Sequence, residues 1–136
     1  MTACQIIRPD GTVEHSDFSK ILEESPRTLL YFYPKDNTPG CTLEGQDFTR
    51  LAAEFAAKGV RVIGVSKDDA ESHAHFQSSC GIRLPLISDD GSLIEKFRVM
   101  GEKNLYGKMV FGLLRSSFLL DSAGTLLQEW RSVRAT

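Results

Sequence analysis

The sequence predicts an α/β domain with a central mixed β-sheet flanked by helices, on three observations. Strand-length apolar runs alternate with helical patterns through the middle of the chain, the signature of parallel strands joined by right-handed crossovers. Two of those runs, residues 28–33 (TLLYFY) and 60–66 (VRVIGVS), alternate poorly, as strands covered on both faces do. Near the C-terminus Asp121-Ser122-Ala123-Gly124 separates two strand patterns, a hairpin signal that adds antiparallel pairing at one edge.

In chain order, residues 4–8 and 12–15 read as short strands around the turn Pro9-Asp10-Gly11. Ser16 or Asp17 suits the cap of a short helix that stops before Pro26. The strand 28–33 follows, then a polar loop, 34–40. Residues 41–58 form the strongest helical pattern: Phe48, Leu51, Ala52, Phe55 and Ala56 make one apolar stripe, and Gly59 suits the left-handed residue beyond the end. After strand 60–66, Asp68 or Asp69 starts a third helix that runs to Cys80 and ends at Gly81. Residues 84–88 read as a short strand, 92–97 as a short helix, and 115–120 and 125–130 as the final hairpin. Residues 98–114 receive no regular element. A mixed sheet of this order is what a thioredoxin-like fold looks like.

The 136 residues form one domain, with no repeat or linker that divides them. Sixteen Lys+Arg against 18 Asp+Glu, a net charge of -2, leave no basic field for nucleic acid or anionic lipid. The start, MTACQIIRPDG, has no basic segment followed by an apolar one, so no signal peptide is expected, and the apolar runs are too short to span a bilayer. A reducing cytoplasm is the expected compartment. There the three cysteines, Cys4, Cys41 and Cys80, are core residues or reactive thiols, since no Cys-x-x-Cys pair suggests zinc or a dithiol centre. His73 and His75 point to different helix sides and make a poor metal pair; a solvated helix face is expected for them, and no metal. Phe48, Phe55 and Trp130 read as core. Gly101-x5-Gly107-Lys108-Met109 is not a phosphate-binding loop, having one residue too many and no Ser or Thr after the lysine.

The chemistry converges on residues 33–41. Ligands bind at the carboxyl ends of strands in α/β sheets, and this loop leaves such an end and enters the long helix. Cys41 falls in the first turn, where backbone N–H groups lack partners and the helix dipole favours negative charge. That is the setting in which a thiol becomes a reactive thiolate. Pro34 and Pro39 stiffen the loop, Gly40 lets the chain turn closely into the helix, and Thr38, three residues before Cys41, brings a hydroxyl within reach of the sulfur.

Pro34-x-x-x-Thr38-x-x-Cys41 resembles the active-site signature of peroxiredoxins. The longer string FYPKDNTPGCTLEGQDF over residues 32–48 is similar to the peroxiredoxin Q branch, also called bacterioferritin comigratory protein. The likeness continues through Gly64-Val65-Ser66, His73 and Phe76, then Pro85-Leu86-Ile87-Ser88-Asp89. Gly101-Glu102-Lys103-Asn104, Tyr106-Gly107-Lys108 and Arg115-Ser116-Ser117-Phe118-Leu119 complete it. It covers most of residues 11–131.

The resemblance implies a thiol-dependent peroxidase reducing hydrogen peroxide and organic hydroperoxides, recycled by thioredoxin or a similar dithiol, with no bound cofactor. Cys41 is then the peroxidatic cysteine, Thr38 a hydrogen-bonding partner of thiolate and peroxide, and Arg115 a guanidinium brought to the pocket. Glu44 orients that arginine, and Pro34 shields the sulfur. At pH 7 a thiol of pKa about 8.5 is about 3% thiolate, so ionisation alone gains at most about thirty-fold. Donors aimed at the peroxide oxygens must supply the rest.

Many members of the branch carry a resolving cysteine five residues after the first; here Gln46 stands there. Others carry it on the next helix, where Cys80 lies about one turn beyond the commoner position, Gln77. Cys80 is therefore either the resolver or a core residue beside Phe76; Cys4, read as a strand residue, is a weaker candidate, and if neither resolves the enzyme is a one-cysteine peroxidase reduced directly by an external thiol. Relative to the family the chain is short at both ends. It stops soon after the last strand, where members continue into a helix that covers one sheet face, so either another element or a partner subunit is expected to cover that face, the latter as a homodimer. The rival is a redox-sensing or partner-binding domain without turnover.

Overall fold

A computed structural model describes residues 3–36, 38–105 and 107–131; Asn37, Tyr106 and the residues at the two ends, which the family comparison of the sequence touches, lie outside them. The elements are β1 (Ala3–Ile7), β2 (Val13–Asp17), α1 (Phe18–Glu23), β3 (Arg27–Phe32), α2 (Pro39–Ala57), β4 (Val60–Ser66) and α3 (Ala70–Cys80). They continue with β5 (Leu86–Ser88), α4 (Ser92–Phe97), β6 (Met100–Leu105), β7 (Lys108–Leu113), β8 (Ser116–Asp121) and β9 (Leu126–Trp130).

Seven strands form one sheet in the order β2-β1-β5-β4-β3-β8-β9. β3 and β4 are parallel, as are β4 and β5; β8 runs antiparallel to β3 and β1 antiparallel to β5. The alternation of side chains on the central strands divides the interior into two cores. Leu29, Tyr31, Tyr33, Val62 and Leu86 point to one face, joined by Cys41 and Phe76 from α2 and α3. Leu30, Phe32, Ile63, Val65 and Ile87 point to the other, packed with Phe18, Ile21 and Leu22 of α1 and Leu93 and Ile94 of α4. The poor alternation of the two central runs thus has the expected cause: both faces are covered.

Asp69, not Asp68, caps α3, accepting a bond from Ser72 N at 2.8 Å, and Gly81 ends the helix in the left-handed conformation at φ 67°. α2 begins at Pro39, two residues before the expected start, because Thr38 adopts the extended conformation of an N-cap and proline is well tolerated in a first helical turn.

Three expectations are corrected. Residues 98–114 are not irregular: β6 and β7 pair from Met100↔Leu113 to Leu105↔Lys108 as a separate hairpin. His73 is not on a solvated face but fully buried, at 0% exposure. Trp130 is not core but 42% exposed on the edge strand β9, near the exposed Leu126 and Leu127. The described residues include no helix long and apolar enough to cross a membrane.

Candidate active site

Because β3, β4 and β5 are parallel, the segments that follow them gather at one edge of the sheet. The segment after β3 enters α2 and places Cys41 at the third helical position, 1% exposed. β8 runs the other way, and Ser116 pairs with Phe32, the last residue of β3. Arg115, just before β8, is therefore delivered to the edge where the Cys41 loop begins. Strand pairing brings together two residues that local sequence leaves far apart.

The guanidinium of Arg115 bridges two groups. Nη2 donates to Cys41 Sγ at 3.0 Å and Nη1 to Glu44 Oε1 at 2.9 Å. Glu44 lies three residues after Cys41, so both face the same side of α2, and the planar fork of arginine reaches both. Glu44 is nearly buried, and burial raises its carboxyl above the ordinary 4.5, with the Arg115 charge opposing the rise. A carboxyl whose folded-state value is raised stabilises the fold fully below its unfolded value, and that contribution is lost as pH rises through the folded value. Glu44→Gln is therefore expected to gain stability relative to the parent as pH rises above about 4.5, with a higher thermal midpoint difference at pH 7 than at pH 4. Thermal melts across pH check this; a difference that stays constant with pH contradicts it.

Thr38 stands at the mouth of the helix. Its hydroxyl donates to the Lys35 carbonyl at 3.1 Å, and its own carbonyl accepts the first helical bond from Thr42 N at 2.8 Å. With its single proton committed to Lys35, the hydroxyl offers lone pairs, which accept from an O–H. No intrahelical acceptor precedes the N–H groups of Gly40 and Cys41, which lie in the first turn. Pro34 is half-buried at the start of the loop.

Cys80 ends α3, half-buried and packed against the core cluster that contains Cys41. Gln46 Nε2 donates to the Cys80 carbonyl at 3.0 Å, so α2 and the end of α3 touch one turn beyond Cys41. Cys4 is buried on β1 on the opposite face of the sheet; burial, then the charges of Asp89, Asp17 and Asp90, push its thiol up to about 11.

One buried cluster escaped the sequence reading. Asp36, in the loop before Thr38, lies 4% exposed. Its carboxylate meets Tyr33 OH at 2.6 Å, Ser72 Oγ at 2.9 Å and His73 Nδ1 at 2.8 Å. Its backbone N–H donates to Asp68 Oδ2 at 2.8 Å. No local signal marks it, because its partners come from a different helix and strand end.

The sequence profile of the AhpC/TSA family matches residues 3–128. Peroxiredoxin Bcp of Xanthomonas campestris is 50% identical over 107 residues, which cover 78% of this chain and 67% of that protein. The chain belongs to the AhpC/TSA family, in its peroxiredoxin Bcp branch. Peroxiredoxin Bcp of Bacillus subtilis is 41% identical over 124 residues, 90% of this chain and 76% of that one. A solved structure of the Xanthomonas campestris bacterioferritin comigratory protein, studied for alkyl peroxide reduction, superimposes with a TM-score of 0.84. The two are 39% identical, and the match covers 98% of this chain and 82% of the other. Peroxidoxin BcpB of Mycobacterium tuberculosis gives a TM-score of 0.77 at 29% identity, covering 99% and 85%. The thioredoxin-like fold expected from the sequence is thus the fold of peroxiredoxins, and the chain is a thiol-dependent peroxidase.

Proposed function

We propose that Cys41 is the peroxidatic cysteine and reduces hydrogen peroxide and organic hydroperoxides. The observation that carries this reading is the Arg115 bridge between Cys41 Sγ and Glu44. The thiolate attacks one peroxide oxygen, the S–O bond forms, and the O–O bond breaks. The leaving oxygen departs as hydroxide or alkoxide and takes a proton to become water or alcohol; Cys41 becomes a sulfenic acid. Arg115 and the N–H groups of Gly40 and Cys41 supply positive charge where negative charge develops, and Thr38 accepts the hydrogen of the incoming peroxide. Pro34 keeps water from the sulfur.

Cys80 is the resolving cysteine in this reading: its sulfur attacks the sulfenic sulfur, water leaves, and a disulfide forms. A disulfide needs the two sulfurs about 2.05 Å apart. The first turn of α2 and the last turn of α3 must therefore open, and the Gln46–Cys80 contact breaks. A dithiol protein such as thioredoxin then reduces the disulfide, and a reducing cytoplasm is the compartment that suits this cycle.

The experiment is peroxide-dependent NADPH oxidation coupled through thioredoxin and its reductase, beside Cys41→Ser. Turnover lost in the variant supports the reading; stoichiometric oxidation without turnover favours a redox sensor. Mass spectrometry after one equivalent of peroxide is expected to find a Cys41–Cys80 disulfide. A persistent sulfenic acid in the wild-type protein removes Cys80 from the cycle and leaves a one-cysteine enzyme reduced directly by an external thiol.

A further inference from the structure

The buried cluster around Asp36 has no part in the chemistry just described, yet it holds the segment on which that chemistry depends. His73 Nε2 lies 3.0 Å from the Ile87 carbonyl, which can only accept, so Nε2 carries a hydrogen. Nδ1 lies 2.8 Å from Asp36 Oδ2 and 3.3 Å from Tyr33 OH, whose own hydrogen serves Asp36 Oδ1 at 2.6 Å. Ser72 Oγ donates to the same carboxylate at 2.9 Å. An acceptor carboxylate ringed by two hydroxyl donors and a ring nitrogen suits a charged pair, with both ring nitrogens of His73 protonated.

Every anchor is itself tied to a regular element. His73 and Ser72 belong to α3, His73 is fixed to β5 through Ile87, and Asp68, which holds the Asp36 N–H, is itself bonded by Ser66 Oγ at 2.7 Å. Lys35 is the residue before Asp36, and its carbonyl accepts the Thr38 hydroxyl. Moving Asp36 therefore moves the group that orients Thr38, while Arg115 reaches Cys41 from β8 by an independent route.

We propose that Asp36 and His73 form a buried ion pair that positions the Thr38 hydroxyl for peroxide, making both positioning residues of the peroxidase reaction. This rests on the assignment of Cys41 and Thr38 given above. The substrate-facing group is Thr38; the pair acts through the Lys35 carbonyl.

The test compares Asp36→Asn and His73→Gln with the wild-type chain in two reactions of Cys41: oxidation by hydrogen peroxide and alkylation by iodoacetamide. Alkylation needs the thiolate but not Thr38. The peroxide rate is expected to fall by at least about tenfold, since small misplacements of an orienting group carry losses of that size. Alkylation is expected to stay within about twofold, and Asp36→Asn combined with Thr38→Val to be no slower than Thr38→Val alone. An unchanged peroxide rate, a parallel fall in alkylation, or additive losses overturn the proposal. Should these variants not fold, Ser72→Ala removes one donor only and is expected to slow peroxide in the same selective way; a parallel or absent effect there counts against it equally. In the wild-type protein, NMR of nitrogen-labelled histidine is expected to show both ring nitrogens of His73 protonated at pH 7; a neutral ring overturns the ion pair. Failure of the underlying reading is distinct: the wild-type chain itself would then show no Cys41-dependent peroxide oxidation.

Discussion

Arg115→Ala is expected to slow the reaction of Cys41 with hydrogen peroxide by about 10²–10³-fold, the loss typical of removing one preorganised donor from a site where charge develops. The guanidinium touches the sulfur and Glu44 at once, so the substitution also leaves a nearly buried carboxylate without its partner. The comparison that gives the result meaning is with alkylation of the same sulfur. Loss of thiolate alone accounts for at most about thirty-fold at pH 7. The peroxide rate should therefore fall well beyond the alkylation rate. Arg115→Lys retains charge but cannot span both groups in one plane, and should lie between the parent and alanine. Thr38→Val should show the same selectivity with a smaller loss, since it removes an acceptor for the peroxide hydrogen and leaves the Arg115 contact in place. Equal losses in the two reactions would mean that these residues act only by ionising the thiol.

Gly64→Ala is expected to cost about 3 kcal/mol of stability, the upper end for overpacking. Gly64 pairs with Tyr31 on one neighbouring strand and Leu86 on the other. The Tyr31 ring leans across it, so an added Cβ would stand 2.8 Å from Tyr31 Cζ, Tyr31 OH and Leu86 Cδ2. Neither neighbour has room to yield: Leu86 is fully buried, and Tyr31 is stacked between Tyr33 at 5.4 Å and Phe48 at 4.7 Å. Displacing Tyr31 pushes on α2 through Phe48 and on the Asp36 cluster through Tyr33, so a slower peroxide reaction should accompany the loss. Urea denaturation measures the first effect; a change below about 1 kcal/mol would show that the strands part to admit the methyl group.

What could be read from the chain follows from where the information lies. The β3–α2 junction is local: a doubly covered strand, a proline-bounded loop and a helix start occupy consecutive residues, and Cys41 is legible there. Arg115 is 74 positions away, and only the antiparallel pairing of β8 with β3 places it at the sulfur. As an isolated arginine before a strand it carries no signal, and only the family likeness points to it as a site residue. The hairpin of β6 and β7 was invisible because its sequence does not alternate apolar with polar residues. Gly101 faces Gly112, and the solvent side of β7 carries the apolar Met109 and Phe111, so the apolar-polar pattern that reveals a half-buried strand is missing. His73 misled for the opposite reason. A polar residue on a helix is solvated unless a partner from elsewhere pairs with it inside, and Asp36 lies on a loop that sequence periodicity does not describe.

The third sulfur has a use of its own. Burial pushes the Cys4 thiol up to about 11, so it stays protonated at neutral pH, and it lies under the sheet on the face away from Cys41. Peroxide and labelling reagents find it dark while the sheet is closed. Its slow appearance in a pulse of thiol reagent therefore records how often β1 parts from its neighbours β2 and β5, a clock for that side of the sheet set apart from the local opening at α2 and α3.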